Sequence, residues 1–464
     1  MSNKAKDLVR KIPAKIPSKK KDTKSYKFDV KTYAGRVEVG EHDARLFYWF
    51  FESRRQKGRK TGEIPLVLWI NGGPGGSSFN GLLNENGPIK IDKGKKGNAK
   101  ISRYEIVTNP YGWNEETHLM YWDQPVGTGY STVADKKYIT NEDALSEQFY
   151  RGLQGFYDLH PEYRQCPLYL TGESYAGKYL PNIATKIMEK NDAMVGDGDR
   201  HINLTGVAIG DGWMNPKMQT LVQLDYAYQM AFVDTLQYQR IYAKYEDFCN
   251  LLEVAIHQNK EVYWQAVFDL ESEIVGNILT CGGMPAMYDV RKWNEVEDGF
   301  LETYLNAKAV KKALHVSDVK KWRTYDAYGP VSDALIPDFM TDLTGLFPDL
   351  LNKYRLLFYT GNFDMACGFG GTEQILQELE WPHQEEWKKL ERKVWGTPQE
   401  KKGWDVTKAP DTRGYFKSYG NLTQVVIPCA GHLLPMDQPK NSRDMLYSWI
   451  FGRGFSPSYD PFKS

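Results

Sequence analysis

Three residues of types that together perform acyl transfer each follow an apolar stretch of the sequence. Ser174 comes after the short run Leu168–Thr171, which has the composition of a buried strand. Asp364 comes after the run 354–361, and His432 comes after the run 422–427. In such a set the serine attacks a carbonyl carbon, the imidazole takes the serine proton, and the carboxylate fixes the imidazole tautomer. The sequence therefore predicts Ser174, Asp364 and His432 as a catalytic triad.

The residues around Ser174 favour a sharp turn between a strand and a helix. They read Gly172-Glu-Ser-Tyr-Ala176, and apolar residues four apart follow at positions 179, 183 and 187, as on one face of a helix. A small residue on each side of the serine suits a tight turn, and the first helical amides point toward the developing negative charge. A pentapeptide of this kind is a chance turn more often than a nucleophile elbow, so the interpretation depends on its partners.

A glycine-rich loop, Asn71-Gly-Gly-Pro-Gly-Gly-Ser-Ser78, follows the apolar run 65–70. Its backbone N–H groups could hold a phosphate or an oxyanion. The loop lacks the Gly-Lys-Ser/Thr ending of a phosphate loop, and Pro74 removes one donor. We interpret it as part of an oxyanion hole.

Composition restricts the remaining function classes. The 464 residues carry 59 basic and 59 acidic side chains, so overall charge favours neither nucleic acid nor an acidic surface as a partner. No apolar run approaches the roughly 20 residues of a membrane span. The five cysteines have no CxxC spacing, and we expect neither a metal nor another cofactor.

Strands alternating with helices predict a largely parallel sheet covered on both faces, and the order Ser, Asp, His is that of an α/β-hydrolase. We expect a flexible basic arm over residues 1–26 and a first core segment over 27–212. A mainly helical inserted cap over 213–340 and a second core segment over 341–464 complete the prediction. Helical patterns within the cap run over 221–245 and 262–275.

Several motifs resemble the serine carboxypeptidase family over all of the chain but the basic arm. They are the stretches 69–78, Asp123-Gln-Pro-Val-Gly127, 172–177, Tyr304-Leu-Asn with Ala313-Leu-His-Val316, and Ala430-Gly-His-Leu-Leu-Pro435. Val394-Trp, the stretch 431–439 and Phe451-Gly-Arg-Gly-Phe455 are most similar to the vitellogenic carboxypeptidase-like branch.

The resemblance implies a role for each matching residue. Ser174, Asp364 and His432 fall on the family triad. Gly73 and Tyr175 fall where backbone N–H groups form the oxyanion hole. The positions that bind the terminal carboxylate of the substrate are Asn71, Glu85 and Glu173. Cys367 matches a position that often holds a free cysteine near the site.

The resemblance implies a serine exopeptidase that acts on peptide or protein carboxyl ends, with a homodimer as one possible assembly. An acyltransferase with the same triad and a non-catalytic binding scaffold are the alternatives, and Glu173 favours the peptidase over the acyltransferase. The missing signal peptide favours an intracellular location, whereas the family normally enters vacuoles or lysosomes or is secreted.

Overall fold

The computed structural model describes residues 6–15, 24–92, 105–194, 200–293, 299–325, 329–397, 411–456 and 458–459. The chain divides into two compact units, each built from three segments. Unit 1 contains Met1–Gly172, Asn182–Thr205 and Val296–Leu335; unit 2 contains Glu173–Pro181, Gly206–Glu295 and Ile336–Ser464.

The described residues form fifteen strands and fourteen α-helices. The strands are β1 (Lys11–Pro13), β2 (Ser25–Lys27), β3 (Thr32–Glu38), β4 (Arg45–Phe51), β5 (Leu66–Ile70), β6 (Ile89–Asp92), β7 (Glu105–Thr108), β8 (His118–Asp123), β9 (Leu168–Ser174), β10 (Leu204–Gly212), β11 (Arg355–Gly361), β12 (Lys393–Thr397), β13 (Asp411–Tyr419), β14 (Leu422–Ile427) and β15 (Ser458–Tyr459). The helices are α1 (Glu142–Leu159), α2 (Ala176–Asp192), α3 (Pro216–Gln229), α4 (Thr235–Gln258), α5 (Glu261–Gly282), α6 (Gly299–Leu305), α7 (Lys308–Ala313), α8 (Pro330–Ala334), α9 (Ile336–Phe339), α10 (Phe347–Lys353), α11 (Phe369–Glu378), α12 (Gln384–Lys389), α13 (Leu434–Asp437) and α14 (Pro439–Ile450).

Five strands of unit 1 pair in the order β9-β5-β8-β4-β3. β5 is parallel to both β9 and β8, and the last two pairings are antiparallel. Every residue of β5 is buried, as its uninterrupted apolar sequence predicts for a strand covered on both faces. Helix α1 packs against β3 and β4, and the Asn141 side chain caps it by accepting the Ala144 N–H at 2.8 Å.

Unit 2 contains three parallel strands, in the order β10-β11-β14. β13, β12 and β15 then extend β14 through antiparallel pairings. The predicted runs 354–361 and 422–427 correspond to β11 and β14, so the strands before the predicted acid and base are confirmed. The antiparallel strands β12 and β13 were not predicted, because their exposed and buried residues follow no clean alternation.

The helical region after Trp213 contains no strand among its described residues. The helical pattern over 221–245 divides into two helices, because α3 ends at Gln229 and α4 begins at Thr235. Ala231 has a positive φ of 60°, and Asp234 caps α4 by accepting the Gln237 N–H at 2.8 Å. Helices α3, α4 and α5 pack together around one apolar cluster.

The prediction of a flexible arm over 1–26 is wrong for residues 6–15 and 24–26; residues 1–5 and 16–23 lie outside the described residues. β1 pairs with β2, and Leu8 forms an antiparallel β-bridge with Tyr33 of the edge strand β3. The Asp7 carboxylate accepts hydrogen bonds from Tyr48 and from His160 Nε2. Lysine dominates the composition of this segment and obscures its alternating apolar residues, of which Val9, Ile12 and Ala14 are buried. The segment is part of the packed structure of unit 1.

We expect Ile12→Ala to lower the free energy of unfolding by about 2–4 kcal/mol, because Ile12 is 1% exposed and its removal leaves a cavity. The midpoint of thermal unfolding, followed by circular dichroism, should fall by several degrees. Lys11→Ala is the matched control, since Lys11 lies on the same strand with its side chain exposed. Equal midpoints for Ile12→Ala and wild type would contradict the docking of this segment.

Candidate active site

Ser174 occupies a strained turn at the junction of β9 and α2. Its φ is +64°, a left-handed conformation that costs a residue with a side chain about 1–3 kcal/mol. The Ser174 carbonyl accepts the Trp213 N–H at 2.9 Å. Because α2 begins at Ala176, the positive end of the helix dipole faces the serine. The expected elbow is therefore present.

The residue near the elbow that must lack a side chain is Gly177. A Cβ at Gly177 would lie 2.7 Å from the Trp213 carbonyl oxygen and 2.8 Å from the Trp213 nitrogen, so the first turn of α2 touches the backbone after β10. The pattern around the serine predicts small residues at Gly172 and Ala176, and it does not indicate the close approach at Gly177. The glycine ending the stretch Gly172–Gly177 was the signal for it.

Asp364 is a fully buried carboxylate just past β11. Its Oδ1 accepts the Ala366 N–H at 2.8 Å, and its Oδ2 accepts the Cys367 N–H at 3.2 Å. Oδ2 also lies 2.8 Å from His432 Nδ1. Backbone donors therefore fix the carboxylate, and the remaining contact goes to the imidazole.

His432 is 4% exposed and lies in the loop after β14. Its backbone N–H donates to the Tyr288 carbonyl at 2.7 Å, and the two rings are 4.9 Å apart. Since Nδ1 faces a carboxylate, it carries the proton, which leaves Nε2 with its lone pair as the basic nitrogen. Nε2 has no hydrogen-bond partner among the described residues, so it is not hydrogen-bonded to Ser174. Catalytic hydrogen bonds of this kind are often long before substrate binds.

The loops that carry the acid and the base pack directly on each other. The Phe363 N–H donates to the Ala430 carbonyl at 2.8 Å, and the Cys429 N–H donates to Asn362 Oδ1 at 2.8 Å. A Cβ at Gly361 would lie 2.3 Å from the Gly431 carbonyl oxygen, so only glycine permits this approach. The distance between the carboxylate and the imidazole is thereby set by backbone contacts.

A third segment, Met287–Lys292, holds both loops, and we call it the buttress segment. Its Met287 carbonyl accepts the Met365 N–H at 3.0 Å, and its Val290 N–H donates to the Phe363 carbonyl at 3.1 Å. The His432 N–H also donates to the Tyr288 carbonyl. The buttress segment is therefore hydrogen-bonded both to the loop that carries Asp364 (the acid loop) and to the loop that carries His432 (the base loop).

Charged side chains reinforce the buttress segment. Arg291 donates to the Cys429 carbonyl at 2.8 Å and to Asp437 at 2.9 Å, and it also binds Asp289 at 2.7 Å. Asp437 in turn accepts the Gly431 N–H at 2.8 Å. Burial alone would raise the pKa of Asp289, but hydrogen bonds from Arg291 and Lys292 outweigh it and hold that pKa at about 2. This network was not predicted, since its members lie far apart in sequence.

Tyr175 and Glu173, which flank the nucleophile, are both buried. The Tyr175 ring stacks on Phe339 at 5.5 Å and meets Tyr179 edge-on at 4.9 Å. Its N–H group directly precedes α2, so it lies at the positive end of the helix dipole. This environment suits the predicted oxyanion role of Tyr175.

The other predicted site residues belong to unit 1. Asn71 Oδ1 accepts hydrogen bonds from Trp69 Nε1 at 2.8 Å and from the Gly81 N–H at 3.0 Å, which fixes the orientation of its side-chain amide. Gly73 has a φ of +125°, and a Cβ there would lie 2.6 Å from the Gly76 nitrogen. Glu85 is 2% exposed.

All five cysteines are free thiols. Cys367, which the family resemblance assigns to the surroundings of the site, donates its backbone N–H to Asp364 Oδ2 at 3.2 Å. Burial and then the negative charges of Asp364, Asp211 and Glu271 raise the pKa of the Cys367 thiol well above its usual value, so it is neutral. Within the described ranges, no cluster of three potential metal ligands occurs, and no helix is long and apolar enough to cross a membrane.

Comparison with known proteins identifies relatives along nearly the whole chain. Residues 21–452 match the sequence profile of the serine carboxypeptidase family. Serine carboxypeptidase-like 48 of Arabidopsis thaliana is 34% identical over 89% of this chain and 77% of its own length. The probable serine carboxypeptidase CPVL of Homo sapiens is 31% identical over 92% of this chain and 85% of its own length.

The fold is also similar to that of a solved structure. The prohormone-processing carboxypeptidase Kex1(delta)p of Saccharomyces cerevisiae aligns with a TM-score of 0.80 and 21% identity, covering 97% of each chain. At that identity the similarity shows the fold alone, and it confirms the predicted α/β-hydrolase class.

We expect Arg291→Gln to lower kcat for an N-blocked dipeptide by about ten- to a hundredfold with little change in KM, because it loosens the base loop without touching substrate. Arg291→Lys should recover part of the loss. Arg413→Gln is the control, since it removes an arginine that pairs with the exposed Asp411. Unchanged kcat in folded Arg291→Gln would remove the buttress segment from catalysis.

Proposed function

Because this chain belongs to the serine carboxypeptidase family, we propose that it releases residues one at a time from peptide carboxyl ends, with Ser174 as nucleophile, His432 as base and Asp364 as the orienting acid. The observation that carries the assignment is the buried 2.8 Å contact between His432 Nδ1 and Asp364 Oδ2. The strained turn at Ser174 and the basic Nε2 of His432 add support.

In the first half of the reaction, Ser174 Oγ attacks the carbonyl carbon of the last peptide bond. The hydroxyl proton moves to His432 Nε2 as the new C–O bond forms. The C–N bond then breaks, and the Nε2 proton goes to the leaving amine. Asp364 stabilises the imidazolium that forms at His432 after each proton transfer. The products of this half are a free amino acid and an acyl-enzyme ester on Ser174.

In the second half, water attacks the acyl-enzyme by the same route. His432 Nε2 takes a proton from water, the hydroxide bonds to the acyl carbon, and the ester C–O bond breaks. The proton on Nε2 returns to Ser174 Oγ, which restores the free enzyme. The shortened peptide leaves with a new terminal carboxylate.

The family resemblance supplies the proposed roles of the remaining residues. The N–H groups of Gly73 and Tyr175 would stabilise the oxyanion of each tetrahedral intermediate, where one such donor contributes about 2.7–4 kcal/mol. Asn71, Glu85 and Glu173 would bind the terminal carboxylate that marks a chain end. Both glutamates are buried, which disfavours their charged forms and supports a role as hydrogen-bond donors to that carboxylate.

A homodimer is the assembly that we propose for the protein. Its support is a group of exposed apolar side chains on and after α3 and on α4, namely Tyr228, Met230, Leu236 and Tyr242. Sedimentation velocity should give about twice the chain mass of 53.3 kDa, and a monomer mass at micromolar concentration would contradict it.

We expect KM for peptides with a free carboxyl end to rise from mildly acidic toward neutral pH. The family resemblance assigns Glu85 and Glu173 to the bound carboxylate, where a proton on a glutamate would donate a hydrogen bond to it, and loss of that proton would weaken binding. Blocked esters of the same sequence should show a flat KM, because they present no carboxylate.

The double variant Glu85→Gln with Glu173→Gln should flatten KM for peptides, because each amide keeps a donor. Ser174→Ala is the background control and should release no amino acid. A wild-type KM that is as flat with pH for peptides as for esters would contradict the carboxylate-binding assignment and would favour acyl transfer to another acceptor.

A further inference from the structure

The two ends of the glycine-rich loop after β5 are fixed by buried polar groups. At the second end, Ser77 Oγ donates to the Asp123 carboxylate at 2.6 Å, and the Ser78 N–H donates to the same carboxylate at 3.1 Å. The Asn71 N–H donates to Ser78 Oγ at 3.0 Å, which joins the first end to the second. These bonds fix the ends of the loop but do not reach its tip, residues 72–76.

The tip contains Gly73, the residue whose N–H group is proposed as an oxyanion donor. Gly73 is half-buried, whereas the other residues from 71 to 79 are buried. Its N–H belongs to the same peptide unit as the Gly72 carbonyl, and that carbonyl accepts the Gly76 N–H at 2.9 Å. A hydrogen bond to the carbonyl of a peptide unit polarises the unit and strengthens its N–H as a donor. The strength and direction of the Gly73 donor thus depend on the conformation of the tip.

Glycine permits this conformation and does not by itself maintain it. Gly73 has a φ of +125° and Gly75 a φ of +84°, and glycine adopts such values about as readily as negative ones. Because these residues have few steric limits, their peptide units can rotate unless their carbonyl groups are bound. An oxyanion donor is most effective when it is oriented before the charge develops. Donors from outside the loop that bind the carbonyl oxygens of the tip would supply that restraint.

Side-chain hydroxyl groups from another part of unit 1 bind carbonyl oxygens of the tip. Tyr325 donates its hydroxyl to the Gly73 carbonyl at 3.2 Å, and Ser332 Oγ donates to the Pro74 carbonyl at 2.9 Å. The Tyr325 ring also lies against Gly73, since a Cβ there would lie 2.9 Å from Tyr325 Cε2. We call these two groups the bracing hydroxyls.

The bracing hydroxyls belong to well-anchored parts of unit 1. Trp322, which precedes the bracing tyrosine by three residues, is fully buried, and its backbone N–H and carbonyl are both hydrogen-bonded to the Asn306 side chain at 2.8 Å. The Thr324 carbonyl accepts the Ser77 N–H at 2.9 Å. The bracing serine lies on α8, whose Val331 is 1% exposed. The hydroxyls are therefore fixed relative to the loop that they bind.

We propose that Tyr325 and Ser332 are positioning residues of the oxyanion hole, whose hydroxyl groups hold the tip so that the Gly73 N–H is oriented toward the oxyanion before substrate binds. This inference rests on the proposed function, which assigns the oxyanion role to Gly73. The role requires no contact between either hydroxyl and the substrate. Its effect should appear in the transition state, where the oxyanion exists, and not in binding of the substrate's carboxyl end.

The test measures hydrolysis of an N-blocked dipeptide by Tyr325→Phe, by Ser332→Ala and by the double variant. Each single variant should lower kcat by about two- to tenfold and the double variant by at least about tenfold, with KM within about twofold of wild type. Ser332→Thr keeps a hydroxyl at the same position and should retain most of the activity. The midpoint of thermal unfolding should identify any variant that is not folded.

Inhibitors provide a readout that a loss of stability alone would not change. An N-blocked amino aldehyde bonds to Ser174 and places an oxygen at the oxyanion position, whereas the matched amino alcohol forms no such adduct. In each variant the inhibition constant of the aldehyde should rise by about the same factor as kcat/KM falls. The inhibition constant of the alcohol should stay within about twofold of wild type.

The matched control is the double variant Tyr150→Phe with Ser418→Ala, which also removes two hydrogen-bonded hydroxyl groups. They bind Gln154 and Thr423, respectively. This control should leave kcat, KM and both inhibition constants unchanged.

A kcat within about twofold of wild type for the folded double variant of the bracing hydroxyls would overturn the inference. An equal loss of affinity for the aldehyde and the alcohol would also overturn it. In both cases, hydrolysis of the dipeptide by wild type would show that the exopeptidase function still stands. If wild type released no amino acid, the exopeptidase function would fail and this inference with it.

Discussion

The contact between the Asp364 carboxylate and the His432 imidazole is the interaction on which the rest of the site depends. It is 2.8 Å long, and both side chains are almost fully buried. A buried carboxylate is tolerated only with donors around it, and here two backbone N–H groups and the imidazole supply them. Because the carboxylate is fixed, the imidazole tautomer is fixed, and the basic nitrogen must be Nε2.

Several features of unit 2 keep this contact in place. Gly361 allows the acid and base loops to touch backbone to backbone, and the buttress segment binds each loop again from a different part of the chain. Its Arg291 also pairs with Asp437, and these two side chains bind the backbone of the base loop at Cys429 and Gly431. The same unit contains the elbow at Ser174. All three members of the proposed triad thus belong to one compact part of the protein.

The triad could be predicted because each member follows an apolar strand. A strand that is buried on both faces appears in the sequence as an uninterrupted run of apolar residues, which is easy to recognise. Helix α1 also has a strong local signal, because the Asn141 side chain caps its first turn. Gly177 and the buttress segment were missed, because their importance arises from contacts with residues distant in the chain. The break between α3 and α4 depends on a positive φ at Ala231, a non-glycine residue with no sequence signature for it. The packing of residues 6–15 was not predicted, because the many lysines indicated an exposed segment. The overall composition does not reveal that a few apolar residues between the lysines are buried.

The most direct test of the central claim is to locate the serine that reacts with a fluorophosphonate, which requires an activated nucleophile and a basic imidazole. Mass spectrometry of the digested protein should find a single adduct, on the peptide that contains Ser174, and no adduct in Ser174→Ala. Asp364→Asn should slow the labelling by about a thousandfold or more, because the wrong imidazole tautomer no longer accepts the serine proton. An adduct on another serine, or equal labelling rates in wild type and Asp364→Asn, would contradict the account.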